Sequence, residues 1–226
     1  MKEKKVLMSL SGGMDSAVLL SHLIKLDYQI ECVNFFYLSN HNKYENEMAK
    51  KIAKFYSVKL TTIDVSSIFV NFKSNLLGGV IPEGHYQEDS MKLTVIPGRN
   101  LIFSAILSGL AESKNIGKIA LGIHSGDHVI YPDARQEFAK SLDTTIYLSS
   151  DKKVEIIAPF INIDKTKICK IGLENNVPFQ LTRTCYANQQ YPCGKCGSCN
   201  ERLEAFSKNN ATDPVIYQFQ FSPKTL

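Results

Sequence analysis

The sequence contains no tryptophan, no internal repeat and no low-complexity segment, which sets aside a repeat architecture. It has no apolar run approaching the ~20 residues that cross a bilayer, so a membrane-spanning chain is not expected. Nor does an apolar signal-peptide core follow Met1-Lys2-Glu3-Lys4-Lys5, and a cytoplasmic location is the default expectation. Long basic blocks are missing too. The net charge is only +4, with Lys scattered through amphipathic stretches, so nucleic acid is permitted as a partner but not demanded. Cysteine is scarce outside one place: Cys32 and Cys169 stand alone and read as buried small hydrophobes, while four others bunch between 185 and 199. That distribution fits metal binding in a reducing compartment better than a disulfide framework.

What is present is an alternation of short apolar strands with helices. Lys5–Leu10, Gln29–Phe36, Val58–Ile63, Lys118–Ile123 and Val154–Ile157 read as strands. Helices are expected over Ser16–Leu26, around Tyr44 to Tyr56, and over Arg99–Glu112, Ala134–Leu148 and Lys165–Leu173, the last with Asp164 as N-cap. Such alternation predicts an α/β fold with an open, mainly parallel sheet and helices on both faces. At 226 residues one main core is expected, with residues 1–178 as the nucleotide-binding domain and 179–226 as a small Cys-rich lobe packed on it. Residues 78–98 show no period and read as a functional loop, either a lid or a plain insertion.

The first strand ends in Leu10 and runs into Ser11-Gly12-Gly13-Met14-Asp15-Ser16 before a helix. Consecutive backbone N–H groups, small side chains and a helix N-terminus converge there, which is a site for an anion. The loop lacks the Gly-Lys-Ser/Thr ending of a Walker A loop and the third Gly of a dinucleotide fingerprint. It resembles instead the loop of the PP-loop, or N-type, ATP pyrophosphatases, a Rossmann-like superfamily whose members transfer AMP and release pyrophosphate. Asp15 could complement the helix dipole or help hold Mg²⁺ across the phosphates.

Cys185, Cys193, Cys196 and Cys199 are separated by seven, two and two residues, with Gly194 and Gly197 making tight turns. Four thiolates so spaced can close on one structural Zn²⁺ per chain. An iron–sulfur cluster, or unliganded or redox thiols, are the competing readings.

Taken with Pro97-Gly98-Arg99-Asn100, Tyr131-Pro132-Asp133, Glu137-Phe138, Lys165, Thr182-x-Thr184-Cys185-Tyr186, Arg202, Ala205-Phe206 and Asp213-Pro214, the chain resembles the 7-cyano-7-deazaguanine synthases of queuosine biosynthesis. It departs from their pattern at His124–Ile130, at Ala134 where Cys is common, and at Arg183 where Trp is common. The resemblance implies conversion of 7-carboxy-7-deazaguanine and ammonia to the nitrile at the expense of ATP, through an adenylated acid and an adenylated amide, in a homodimer. Leu10, Ser11, Gly12, Gly13, Asp15 and Ser16 would then bind ATP, with Asp15, Lys165 and Arg99 as the catalytic set. Lys165 and Arg99 could stabilise charge on phosphorus or the substrate carboxylate, or be solvated helix-start cations. Asn100, Asp127, Tyr131, Asp133 and Glu137 are the substrate-binding candidates, and His124 or His128 is either a proton carrier or an ordinary structural His. No nucleophilic N-terminal Cys is found, so nitrogen is expected as free ammonia or from a partner.

Three alternatives remain open at this stage. One is a tRNA-modifying enzyme of the same superfamily, marked by salt-sensitive RNA binding. The second is a related ligase joining a deazaguanine acid to another amine. The third is a non-enzymatic nucleotide-sensing or interaction module, marked by absence of pyrophosphate release.

Overall fold

A computed structural model describes residues 4–86 and 89–218. Strands β1 (Lys5–Ser9), β2 (Gln29–Phe36), β3 (Lys59–Asp64), β4 (Lys118–Ala120) and β5 (Glu155–Ile157) form one parallel sheet in the order β3-β2-β1-β4-β5. The register pairs Val6 with Ile30 and Leu7 with Ile119. Helices are α1 (Met14–Lys25), α2 (Asn42–Phe55), the single turn α3 (Ser66–Phe69), α4 (Arg99–Ser113), α5 (Gln136–Ser149), α6 (Lys165–Glu174) and α7 (Gly197–Lys208).

Alternation along β1 divides the core in two. Val6, Met8 and Leu10 point into a cluster with Val18, Leu19, Ile52, Ile168 and Phe206, so α1, α2, α6 and α7 cover that face. Leu7 joins Val33, Phe35, Leu107, Ala111 and Leu142 on the other face, under α4 and α5. Strands buried on both faces explain the nearly continuous apolar runs in the sequence. Cys32 and Cys169, at 1% and 0% exposure, belong to the first cluster as small hydrophobes.

The expected elements are present, with informative differences at their ends. The strand read as Lys118–Ile123 stops at Ala120, because Leu121–Ile123 leave the sheet to line a cavity. The helix expected from Ala134 starts at Gln136, since Pro132–Ala134 closes a separate 3-10 turn. Helix α7 begins at Gly197, well before its apolar period shows, and so carries Cys199. Asp164 caps α6 by accepting from Lys167 N at 2.8 Å.

The unperiodic segment 78–98 contains a 3-10 helix at Asp89–Thr94 and buries Tyr86, Met91 and Ile96; its Gln87 and Glu88 lie outside the described residues. Glu83 bridges Cys196, and Gly84 N donates to Lys195 O at 3.2 Å. Residues beyond 178 likewise add to the main core. Arg202, 1% exposed, bonds Phe179 O, Thr182 and Asp213, while Ala205 and Phe206 sit among the residues of β1 and α1.

Candidate active site

The strand order reverses at β1, between β2 on one side and β4 on the other, and open α/β sheets bind ligands at the carboxyl ends of such strands. A cavity of about 210 Å³ lies there, walled by Ser9 at the end of β1 and Ser11 beyond it, Phe35 and Tyr37 at the end of β2, and Leu121–Ile123 after β4.

The loop after β1 is drawn tight by its own hydroxyls. Gly13 N donates to Ser11 Oγ at 3.1 Å, Ser16 Oγ donates to Gly13 O at 3.1 Å, and the two hydroxyls stand 3.1 Å apart. Gly13 is the extended N-cap of α1. Gly12 has φ +91°, and a Cβ there would fall on the carbonyl oxygen of Glu45 and come within 2.8 Å of Ala49 N. The first glycine is therefore required by the close approach of α2, in addition to any ligand.

Asp15, at the start of α1, meets Lys165 from α6: Nζ to Oδ2 is 2.5 Å. Glu201 of α7 lies 3.6 Å from the same Nζ. His124, 1% exposed, places Nε2 within 3.4 Å of Lys165 Nζ, 3.5 Å of Asp127 Oδ2 and 3.7 Å of Asp15 Oδ2. Tyr86 OH donates to Asp127 Oδ1 at 2.7 Å, which joins the 78–98 segment to this cluster. Burial by itself would raise the Asp15 carboxyl, but Lys165 and His124 override it and hold it well below the usual carboxylate range. Burial by itself would depress His124; Asp127 and Asp15 outweigh it and lift the imidazole to about 9. Glu201 is pushed up to about 7 by burial, offset in part by Lys165 and His124.

At the β2 side the walls are aromatic and charged. Phe35 stacks on Phe103 at 4.3 Å, and Tyr37 meets Phe103 edge-on at 5.3 Å. Glu45, His41, Arg99, Arg183 and Tyr186 line the same end. Burial drives the Glu45 carboxyl up to about 8 against Arg99 and Arg183, and drives His41 down to about 3 with their help, so His41 is neutral. Asn42 fixes this corner by accepting from Tyr37 N at 2.5 Å and donating to Phe35 O at 3.2 Å.

Of the residues expected from sequence, Ser11, Gly13, Asp15, Ser16, Arg99, Asn100, Asp127 and Lys165 are brought together on the cavity wall. Leu10 is fully buried, its carbonyl accepting from Asn34 Nδ2. Asp133 and Glu137 are not among the lining residues: Asp133 accepts from Asn100 N at 2.9 Å, bracing the start of α4, and Glu137 is exposed on α5. Tyr131 stands behind the wall, its hydroxyl 2.8 Å from Thr94 Oγ1 and 3.5 Å from that of Tyr186. Neither Lys165 nor Arg99 is a solvated surface cation, since Lys165 is 6% exposed and Arg99 lines the cavity. His41, Glu45, Arg183 and Glu201 were not signalled by any spacing. On paper they read as polar positions of amphipathic helices or of a loop.

The four sulfurs of Cys185, Cys193, Cys196 and Cys199 lie within 4.8 Å of one another, all buried. Cys185 and Cys193 stand 3.6 Å apart, Cys193 and Cys199 3.9 Å. Backbone N–H groups of Cys193 and Ala187 point at Cys185 Sγ, and that of Cys196 at Cys193 Sγ, a setting that favours thiolates. Four buried, converging thiols can hold a metal ion.

Comparison with known proteins identifies the family. Residues 5–210 match the family described as queuosine biosynthesis protein QueC. A 7-cyano-7-deazaguanine synthase of Pseudoalteromonas atlantica is 41% identical over 222 residues, covering 95% of this chain and 99% of its own. One from Archaeoglobus fulgidus is 39% identical over 215 residues, covering 94% and 90%. Among solved structures, NMN synthetase from Francisella tularensis superposes with a TM-score of 0.50 at 13% identity, over 99% of this chain and 81% of that one, a likeness of fold alone. The match over nearly the whole length, with close to two-fifths identity to relatives from both bacteria and an archaeon, places the chain in the QueC family.

Proposed function

We propose that this chain makes 7-cyano-7-deazaguanine from 7-carboxy-7-deazaguanine and ammonia, consuming ATP. The single observation that carries the reading is the Ser11–Ser16 loop opening onto a cavity that also holds a buried Lys165–Asp15 pair, in a chain of this family. A carboxylate is inert to ammonia; an acyl adenylate is not. Attack of the carboxylate oxygen on the α-phosphorus releases pyrophosphate, and ammonia then displaces AMP to give the amide. The amide oxygen attacks the α-phosphorus of a second ATP and releases a second pyrophosphate; loss of AMP and of both amide protons then leaves the nitrile.

The residues suit that sequence. The Ser11 and Ser16 hydroxyls and the N-terminus of α1 face the polyphosphate. Asp15, held ionised, has Oδ1 buried without a hydrogen-bond partner among the described residues and would hold the Mg²⁺ that accompanies ATP. Lys165 and Arg99 stabilise charge as pyrophosphate leaves. His124, charged at neutral pH and set among Asp15, Asp127 and Lys165, adds to the positive field and is not the base that deprotonates ammonium.

The four-cysteine cluster fits zinc. A tetrahedral ion with Zn–S of ~2.3 Å needs sulfurs ~3.8 Å apart; Cys185–Cys193 at 3.6 Å and Cys193–Cys199 at 3.9 Å lie near that, and no pair is farther apart than 4.8 Å. An iron–sulfur cubane requires its cysteine sulfurs to stand farther apart, around the cluster. Zinc there is structural, with no open position for substrate. The reading is tested by incubating the protein with ATP, Mg²⁺, ammonium and the acid, and following nitrile and AMP by mass spectrometry. AMP without nitrile would point to a different amine acceptor.

A further inference from the structure

The β2 end of the cavity holds a carboxylate that the fold does not need. Glu45 sits in the first turn of α2, turned inward, with its side chain 13% exposed. His41 Nε2 stands 3.3 Å from its Oε2, and Arg99 and Arg183 act on the carboxylate as nearby charges. Burial makes ionisation at this place costly, which Arg99 and Arg183 only partly relieve. Beside it, Arg183 is 4% exposed; its two terminal nitrogens are held by the carbonyls of Gln190, Ala187 and Gln189, while its Nε is buried without a partner among the described residues. Both side chains line the cavity, and flat rings of Phe35, Tyr37 and Phe103 line it next to them.

Once ionised, Glu45 offers two acceptors at the same end of the cavity as the unpartnered Arg183 Nε–H, beside aromatic walls; two N–H donors from a ligand would offset the cost of that ionisation, and this makes a definite complement. It is a planar heterocycle presenting two adjacent N–H donors followed by an acceptor. A guanine-type ring has that edge in its N1–H, its 2-amino group and its 6-oxo group. The adenine edge, with one donor and one acceptor, cannot satisfy a carboxylate with both oxygens.

We infer that Glu45, with Arg183 Nε beside it, reads the guanine edge of the deazapurine and is the residue that separates this substrate from adenine-like rings. The inference rests on the proposed function and deepens it. It also moves base recognition from the Asp133 and Glu137 positions, which do not line the cavity, to α2 and the segment before Cys185.

The test compares 7-carboxy-7-deazaguanine with the same acid lacking its 2-amino group, in the wild type, Glu45→Gln and Glu45→Asp. The wild type should prefer the 2-amino substrate in kcat/KM by on the order of 10–100-fold. Glu45→Gln should reduce that preference to within about threefold while the KM for ATP stays within about twofold, since only one acceptor remains. Glu45→Asp should keep the preference at a higher KM, and it serves as the reading if the Gln variant fails to fold. Retention of the full preference in Glu45→Gln overturns the inference, as does a rise in the KM for ATP with the preference intact. If the wild type converts neither acid, the proposed function and this inference fall together; if it converts both equally, only the inference falls.

Discussion

The backbone N–H of Arg183 donates to the carbonyl oxygen of Gly12 at 2.9 Å. This bond ties the strand of chain entering the cysteine cluster directly to the loop assigned to the polyphosphate. Arg183 is two residues from Cys185, and Thr184 and Tyr186 on either side of that cysteine line the cavity. A metal held by the four sulfurs would thus fix one wall of the site.

Metal removal is therefore expected to weaken substrate binding as well as stability. Elemental analysis should find one zinc per chain in the wild type, and Cys196→Ser, or treatment with a strong chelator, should abolish it. The thermal midpoint should fall by ~10 °C or more, as expected for losing several kcal/mol in a chain of this size. Purified protein carrying iron, with visible charge-transfer bands, would contradict the zinc assignment.

Lys165→Ala should reduce turnover by about 10²–10³-fold, the usual effect of removing a preorganised charge at a transition state. The KM for ATP should change less than kcat. Lys165→Arg should restore little, because a planar guanidinium cannot replace a point charge between Asp15 and Glu201. Equal loss in KM alone would reassign Lys165 to ground-state binding.

Gly12→Ala tests the packing argument. The added methyl strikes the Glu45 carbonyl at a φ of +91° that L residues rarely adopt. Stability should drop by about 2 kcal/mol or more, and the cavity end built by α2 should be displaced. Denaturation curves and the KM for both substrates measure the two effects. A variant as stable as the wild type would show that α2 does not press on the loop as described.

Glu45 makes a pH prediction whose sign is fixed. Its folded value, about 8, lies above the ordinary 4.5, so the stability tied to its protonated form is complete below about pH 4.5 and lost as pH rises through 8. The charged and titratable groups facing it are His41 at the N-cap of the same helix, Arg99 on α4, Arg183, and Tyr37 at the end of β2. Glu45→Gln should match the wild type near pH 5 and exceed it by about 5 °C in thermal midpoint near pH 9. A constant difference across that range would remove the buried-carboxylate argument.

The parallel sheet, the Ser11–Ser16 turn and the cysteine quartet were legible because each is written locally, as a period, a strand-turn-helix or a spacing. The cavity's β2 wall was not. Glu45 lies on a helix whose sequence is rich in Lys and Glu, where one inward carboxylate looks like any solvated one, and only the folded chain, with Gly12 against its backbone and Arg99 and Arg183 beside it, shows that it faces the cavity. Asp133 differs the other way: its carboxylate reads as available for a ligand, and the fold brings Asn100 N against one of its oxygens. Residues 78–98 showed no period because Tyr86, Met91 and Ile96 are buried by tertiary contacts and not by a repeating face.

The most direct test of the central claim is a quenched-flow time course with labelled ATP and the acid, counting AMP against nitrile and watching for the amide. The account predicts pyrophosphate release, about two AMP per nitrile, and an amide that rises before the nitrile and is converted when supplied alone. ADP as the nucleotide product, or nitrile formed with no amide and with synthetic amide left untouched, would contradict it.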